Sequence, residues 1–294
     1  VTNVSDIASF SIATNAKAFR VLMSQLYTDK VTAAIRELWT NAYDAHVEAG
    51  CASTPFDVQL PTLLNPVFVV RDYGISMTDD QVRNLYTTFF SSSKETTNDQ
   101  VGMLGLGSKA PLAYSDHFNI RVFMDGECRV YMVGLDEHEV PFLASVGAMP
   151  SDEPRGVEIS FAVQLDDIER FTQTATTIAG WFQPAPVING VQPESPKPLA
   201  SGALWEFYDK SAGSTITIRQ GCVVYEIPYA ITNNLRQRPI APFRLVAPIG
   251  AIKVAASREQ IEVDAANTTW ITEAVKQANA EFLAAMLTAV EVIP

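Results

Sequence analysis

Arg36-Glu-Leu-Trp-Thr-Asn-Ala-Tyr-Asp44 is the stretch on which the reading of this chain turns. Written on a helix, Glu37, Asn41 and Asp44 fall at i, i+4 and i+7. With about 100° between successive residues they lie within roughly 60° of one another. The apolar residues of the same segment (Val31, Ala34, Ile35, Leu38, Ala42 and Ala45) point to a different side. The helix thus has one face for a core and a separate stripe of carboxylate, amide and carboxylate. Such a stripe suits a general base beside a ligand for a hard cation. Alone, it reads equally well as the solvated polar face of an amphipathic helix.

Around this helix the pattern alternates between helical and extended segments. Residues 15–27 carry an apolar stripe of Ala18, Phe19, Val21, Leu22 and Leu26. Thr28-Asp29 then offers a cap for the helix over 30–49, which stops at Gly50. Asp57 to Leu60 and Pro66 to Arg71 read as strands, the second a nearly continuous apolar run. Asp79 to Phe90 reads as a helix, and residues 91–101 as a polar loop or lid. A short helix is expected near Ser108 to Tyr114. Strands are expected at His117–Met124, Glu127–Leu135 and Val157–Val163, with Asp125-Gly126 turning between the first two. Asp166 to Phe182 follows as a helix. Gln183 to Pro198, with five prolines and an Asn-Gly, reads as a linker. Strands at Thr215–Ile227 and Phe243–Ala255 and a long helix over Asn267–Val290, capped by Asn267 or Thr268, complete the chain.

The pattern predicts an α+β fold in two domains. Residues 1–165 would form a two-layer α/β unit, and residues 166–294 a smaller α/β unit. A hydrophobic fraction of 47% against 18% charged residues places the 294-residue chain among globular proteins. The net charge of −12 argues against duplex DNA binding, which needs clustered Lys and Arg. Cys51, Cys128 and Cys222 are odd in number and lack partners at metal spacing. They read as reduced thiols of a cytoplasmic protein. No apolar run is long enough to span a membrane, and peripheral membrane association stays compatible with the sequence. The opening Val and the ending Glu-Val-Ile-Pro are compatible with a piece of a longer protein.

Two further motifs carry chemistry. Asp72-Tyr-Gly-Ile-Ser-Met77 follows the apolar strand directly, so Asp72 can project from a strand end and accept a hydrogen bond from an amine. Asp and Gly also make plain turns. Gly102-Met-Leu-Gly105-Leu-Gly107-Ser-Lys109 runs from the polar loop into a helix. Its glycines allow backbone N–H groups to approach a phosphate. The segment is not a P-loop, because Ser108 and Lys109 stand in the wrong order and no strand precedes it. It also lacks the third glycine of a dinucleotide fingerprint.

In this order and spacing the three motifs resemble those of the GHKL ATPases, which include gyrase B-type topoisomerases, ninety-kilodalton heat-shock chaperones, histidine kinases and MutL. The resemblance covers about residues 15–165. Glu37 to Ala45 match E-x-x-x-N-A-x-D-A throughout. Asp72, Gly74 and Met77 match D-x-G-x-G-M, with Ser76 in place of its second glycine. Gly102, Gly105 and Gly107 match G-x-x-G-x-G. The chaperone branch is similar also in Arg155-Gly-Val-Glu-Ile159, where Val157 replaces the family's usual Thr. The resemblance implies a Bergerat ATP-binding fold followed by a transducer-like domain, with ATP and Mg²⁺ as ligands. It makes Glu37 the general base for the attacking water and Asn41 the Mg²⁺ ligand. Asp44 would support the base or metal site, and Asp72, with Gly74 and Met77, would hold the adenine. Gly102, Gly105, Leu106 and Gly107, leading into Ser108, would receive the phosphates.

In the second half, Ala256-Ser-Arg-Glu259 resembles the stretch that carries a γ-phosphate-sensing Arg in the chaperone branch. This makes Arg258 the expected sensor and Lys253 the alternative; an ordinary surface salt bridge is the plain reading. Ser11 to Phe19, Leu38 to His46 and Ala256 to Glu259 also resemble the N-terminal region of phage rIIA-like proteins. That likeness implies a phage-encoded protein in the host cytoplasm. The expectation is an ATPase that closes a lid, changes conformation or forms a nucleotide-dependent homodimer, with a protein partner unknown. The alternative is a nucleotide-binding or interaction module without turnover, or a chaperone-like ATPase.

Overall fold

The helix that carries the opening motif, α1 (Lys30–Glu48), begins where the side chain of Asp29 accepts the Thr32 N–H at 3.0 Å. It ends before Gly50, which takes a φ of +73°. A computed structural model describes residues 26–88, 107–208 and 216–291. The expected helix over 15–27, the polar loop 91–101 and Gly102, Gly105 and Leu106 therefore lie outside the described residues, apart from Leu26 and Tyr27, which are not helical.

Two mixed sheets and six helices make the described fold an α+β one. The first sheet contains β1 (Asp57–Gln59), β2 (Val67–Arg71), β3 (His117–Met124), β4 (Glu127–Leu135), β5 (Pro141–Pro150), β6 (Gly156–Ala162) and β7 (Val187–Ile188). Their spatial order is β5-β4-β3-β6-β2-β1-β7. Neighbours are antiparallel except β1 and β7. Alternation along the strands sends Phe68, Val70, Phe118, Ile120, Ile159 and Phe161 to one face, where they are buried. On that face lie α1, α2 (Asp79–Thr87), α3 (Pro111–Tyr114) and α4 (Ile168–Ala179). Trp39 of α1 meets Phe56 and Phe182 edge-on, and Phe171 of α4 packs on Phe68 and Phe161. The chain thus returns to the first sheet through α4 and β7, past residue 165, before it enters the second.

The second sheet has the order β11-β10-β12-β9-β8 and contains β8 (Ala200–Ser201), β9 (Trp205–Phe207), β10 (Thr217–Gln220), β11 (Val223–Glu226) and β12 (Phe243–Ala247). The short α5 (Tyr229–Thr232) follows β11, and α6 (Ala265–Glu291) packs on the sheet through Ile271, Val275 and Phe282. Trp205, Phe243 and Phe282 form its aromatic centre. One apolar core runs through both sheets without a break.

Several elements differ from expectation, each for a local reason. Thr215–Ile227 is a hairpin rather than one strand, because Gly221 turns it with a φ of +62°. Asp264 accepts the Asn267 N–H at 2.7 Å and serves as the cap of α6. The Asn267 amide instead bridges Lys253 O and Glu262 O, each at 2.8 Å. Pro111 divides the segment after Gly107 into a 3₁₀ turn, Gly107–Lys109, and α3. β5 has no counterpart among the expected strands. It is an edge strand with an irregular register against β4 and with largely exposed residues. No helix among the described residues is long and apolar enough to cross a membrane.

Candidate functional site

Helix α1 is central, and its polar stripe is not a solvated face. Glu37 and Asp44 are each 3% exposed, Thr40 is fully buried and Asn41 half-buried. A buried carboxylate must find donors or cations. Oε1 of Glu37 accepts from Nε and Nη2 of Arg36, both at 3.2 Å, and Oε2 accepts from Nη1 of Arg258 at 2.9 Å. A Cβ on Gly107 would stand 2.4 Å from the same Oε2, so the end of the glycine segment closes directly over the carboxylate. Glu37, Gly107 and Arg258 come from three separate stretches of chain and meet at one point.

Arg258 arrives on a tight turn whose three residues hold α1 between its start and its middle. Ser257 O accepts from Arg36 Nη2 at 2.8 Å. The Glu259 carboxylate accepts the N–H groups of Thr28 and Asp29 at 3.0 and 2.9 Å. Arg258 itself has a φ of +56°, a left-handed conformation that costs a side-chain-bearing residue about 1 kcal/mol or more. Burial works against its charge, but Glu37 and then Tyr225 more than offset that and hold the guanidinium above its ordinary pKa. Tyr225 also engages the guanidinium, while its Nη2 is buried and meets no hydrogen-bond partner among the described residues. Lys253 is placed elsewhere, with Nζ 3.1 Å from Asp264 and a side chain 64% exposed.

Asp72 follows β2 immediately and is buried. Burial pushes its carboxyl up to about 7, although the Gly74 and Val157 backbone and Arg71 pull the other way. Gly74 donates its N–H to Asp72 Oδ1 at 3.0 Å. Gly74 is required here, since a Cβ would lie 2.3 Å from the Ala45 carbonyl carbon. Ser76, at the position of the expected second glycine, is buried and donates to Gly156 O at 3.3 Å. Met77 packs half-buried against the core. Ser108 and Lys109 are buried in the 3₁₀ turn. Lys109 Nζ donates to Leu85 O at 2.6 Å, and burial lowers its pKa to about 8.

The described candidates therefore fall into two groups on α1: Glu37, Gly107 and Arg258 at its middle, and Asp72 and Gly74 at its C-terminal end. Arg36 and Glu259 belong to the first group and carried no role in the sequence reading. No group of three or more His, Cys, Asp or Glu among the described residues is arranged to hold a metal. An ion held by one amide and by phosphates requires none. The three cysteines are free. These features define an α+β protein with a buried, cation-bracketed carboxylate on a central helix. No protein-family model matches the chain, and no curated protein matches it at a significant level.

Proposed function

We propose that the chain binds ATP with Mg²⁺ and hydrolyses it in a GHKL-type site. In this reading residues 1–165 supply a Bergerat-type unit, with α4 and β7 completing its sheet and helix layer, and the rest of residues 166–294 form a transducer-like one. The observation that carries the proposal is Glu37: a carboxylate held inside the protein beside Gly107 and an arginine delivered by the second sheet's half of the chain. Phosphoryl transfer needs a positioned base and compensation of phosphate charge rather than covalent chemistry. The buried Nη2 of Arg258, without a partner among the described residues, is a donor suited to a phosphate oxygen. Asp72 is a buried acceptor suited to the adenine amine, and Asn41 supplies the amide for Mg²⁺. When bound, Mg²⁺ would supply charge neutralisation between phosphate oxygens. Asp44 would support Asn41 and Glu37 from the next turn, and the glycine segment ending at Gly107 and Ser108 would face the phosphates. A nucleotide-dependent homodimer, a protein partner and an rIIA-like phage context remain parts of this proposal.

A second reading, nucleotide binding without turnover, is favoured by one observation. Both Glu37 oxygens are engaged by guanidinium groups, which stand where an attacking water would have to approach. On the first reading, phosphate draws Arg258 off Glu37 and frees the base. ATP hydrolysis and ATP binding, measured together on wild type, Glu37→Gln and Arg258→Ala, separate the readings. Hydrolysis lost in Glu37→Gln with binding retained, and reduced in Arg258→Ala, supports the ATPase. Binding without hydrolysis in the wild type favours the second reading. No binding in a folded wild type overturns both.

A further inference from the structure

We infer that His46 is the positioning residue that sets the Asp72 turn, and with it the recognition of a purine 6-amino group. The inference rests on the proposed nucleotide site but concerns a residue to which that reading gives no role. His46 is 1% exposed, two residues beyond the polar stripe of α1. Its two ring nitrogens face different groups. Nε2 lies 2.7 Å from the Tyr73 backbone N, and Nδ1 lies 2.8 Å from the Thr54 carbonyl oxygen. A backbone N–H can only donate and a carbonyl can only accept. Nε2 is therefore the bare acceptor and Nδ1 carries the proton, so the ring is a neutral imidazole in one defined tautomer.

The Tyr73 N–H follows Asp72 directly, so the ring fixes the peptide plane that aims the carboxyl. The rest of the turn is held by contacts that only its present path permits. Ile75 donates to Ala45 O at 3.2 Å, and Gly74 lies against the Ala45–His46 backbone without room for a Cβ. Phe56 and Tyr73 flank the ring, at 6.5 and 6.3 Å between centroids. His46 is thus the one side chain of α1 that grips both the loop before β1 and the turn after β2. A hydrophobic residue of similar size would fill the space but leave the Tyr73 N–H buried without an acceptor. The turn would then shift to satisfy the group.

Two polar substitutions separate positioning from packing. In His46→Gln the side-chain amide reaches the Nε2 position and can still accept from Tyr73. In His46→Asn the amide reaches only the Nδ1 position, near Thr54. Calorimetric titration with ATP and with inosine triphosphate, which has a carbonyl in place of the 6-amino group, reads the effect on discrimination. The expectation is a wild-type preference for ATP that survives in His46→Gln and drops by about tenfold in His46→Asn, the equivalent of about 1.4 kcal/mol. Inosine triphosphate affinity should stay within about twofold across the three proteins. Equal behaviour of the two variants, or parallel loss of both nucleotides, overturns the inference. Nitrogen NMR of His46 in the ligand-free protein gives an independent arm: a proton on Nε2 overturns it whatever binds. If the wild type binds neither nucleotide while NMR reports the expected tautomer, the nucleotide-site reading fails and the recognition role falls with it. The imidazole–Tyr73 contact itself would then stand.

Discussion

Asp72 has a consequence for stability that differs in sign from that of an ordinary surface carboxylate. Its folded pKa is raised from 3.8 to about 7, so the folded protein retains a proton that the unfolded chain has already lost. Stability therefore falls as pH rises between these two values and is level above them. Asp72→Asn keeps the acceptor for Gly74 and removes the ionisation. It should raise the unfolding free energy at pH 8 by on the order of 2–4 kcal/mol, seen as a higher melting temperature, and have little effect at pH 4. The same ionisation makes the carboxylate a better acceptor for an amine as pH rises, so adenine nucleotide affinity should increase from about pH 6 to pH 8. A flat affinity profile would show that Asp72 does not receive the base. Glu37 and Asp72 were legible in the sequence because each sits at a position set by local structure, one on a helix stripe and one at a strand end. Arg36 was not. Adjacent residues on a helix point apart, and its guanidinium finds Glu37 and Ser257 together only once the distant 257–259 turn packs against α1.

At the scale of elements, α1 and the turn after β2 are joined backbone to backbone at Gly74. Gly74→Ala places a carbon against rigid backbone, not against a side chain that can swing away. It should cost on the order of 2–4 kcal/mol in chemical denaturation, whereas alanine at Gly50, penalised by its positive φ and not by a clash, should cost about 1 kcal/mol. Local chemistry made α1 and the β3–β4 hairpin readable. Asp29 caps the helix, and Asp125 and Gly126 both take the positive φ that a two-residue hairpin turn needs, 56° and 78°. β5 was not readable, because its ladder is set by β4 and not by its own pattern. Prolines bound it, a bulge interrupts its register opposite Val130 and Tyr131, and neither face alternates cleanly. The cap of α6 was misplaced for a related reason. Asn267 looks like a cap in sequence, but its amide is committed to two carbonyls of the preceding segment, which leaves the role to Asp264.

Across the whole molecule, the two sheets share one apolar core and the 257–259 turn clasps the start of α1. Calorimetry should accordingly give a single unfolding transition; two resolved transitions would contradict the shared core. Glu259→Ala removes a carboxylate that accepts two backbone N–H groups just before α1. It should lower stability by about 1–3 kcal/mol and raise hydrogen exchange over residues 28–36. The edge strand β5 acts on a different property. It runs for ten residues without one formal charge, and Val146 is 64% exposed on it, in a protein of net charge −12. An uncharged edge is a template for pairing; the prolines and the bulge blunt it, and long-range repulsion between molecules adds a further guard. The range of that repulsion shrinks to about 3 Å at 1 M salt. Light scattering should thus rise with added salt, and Val146→Lys should suppress the rise.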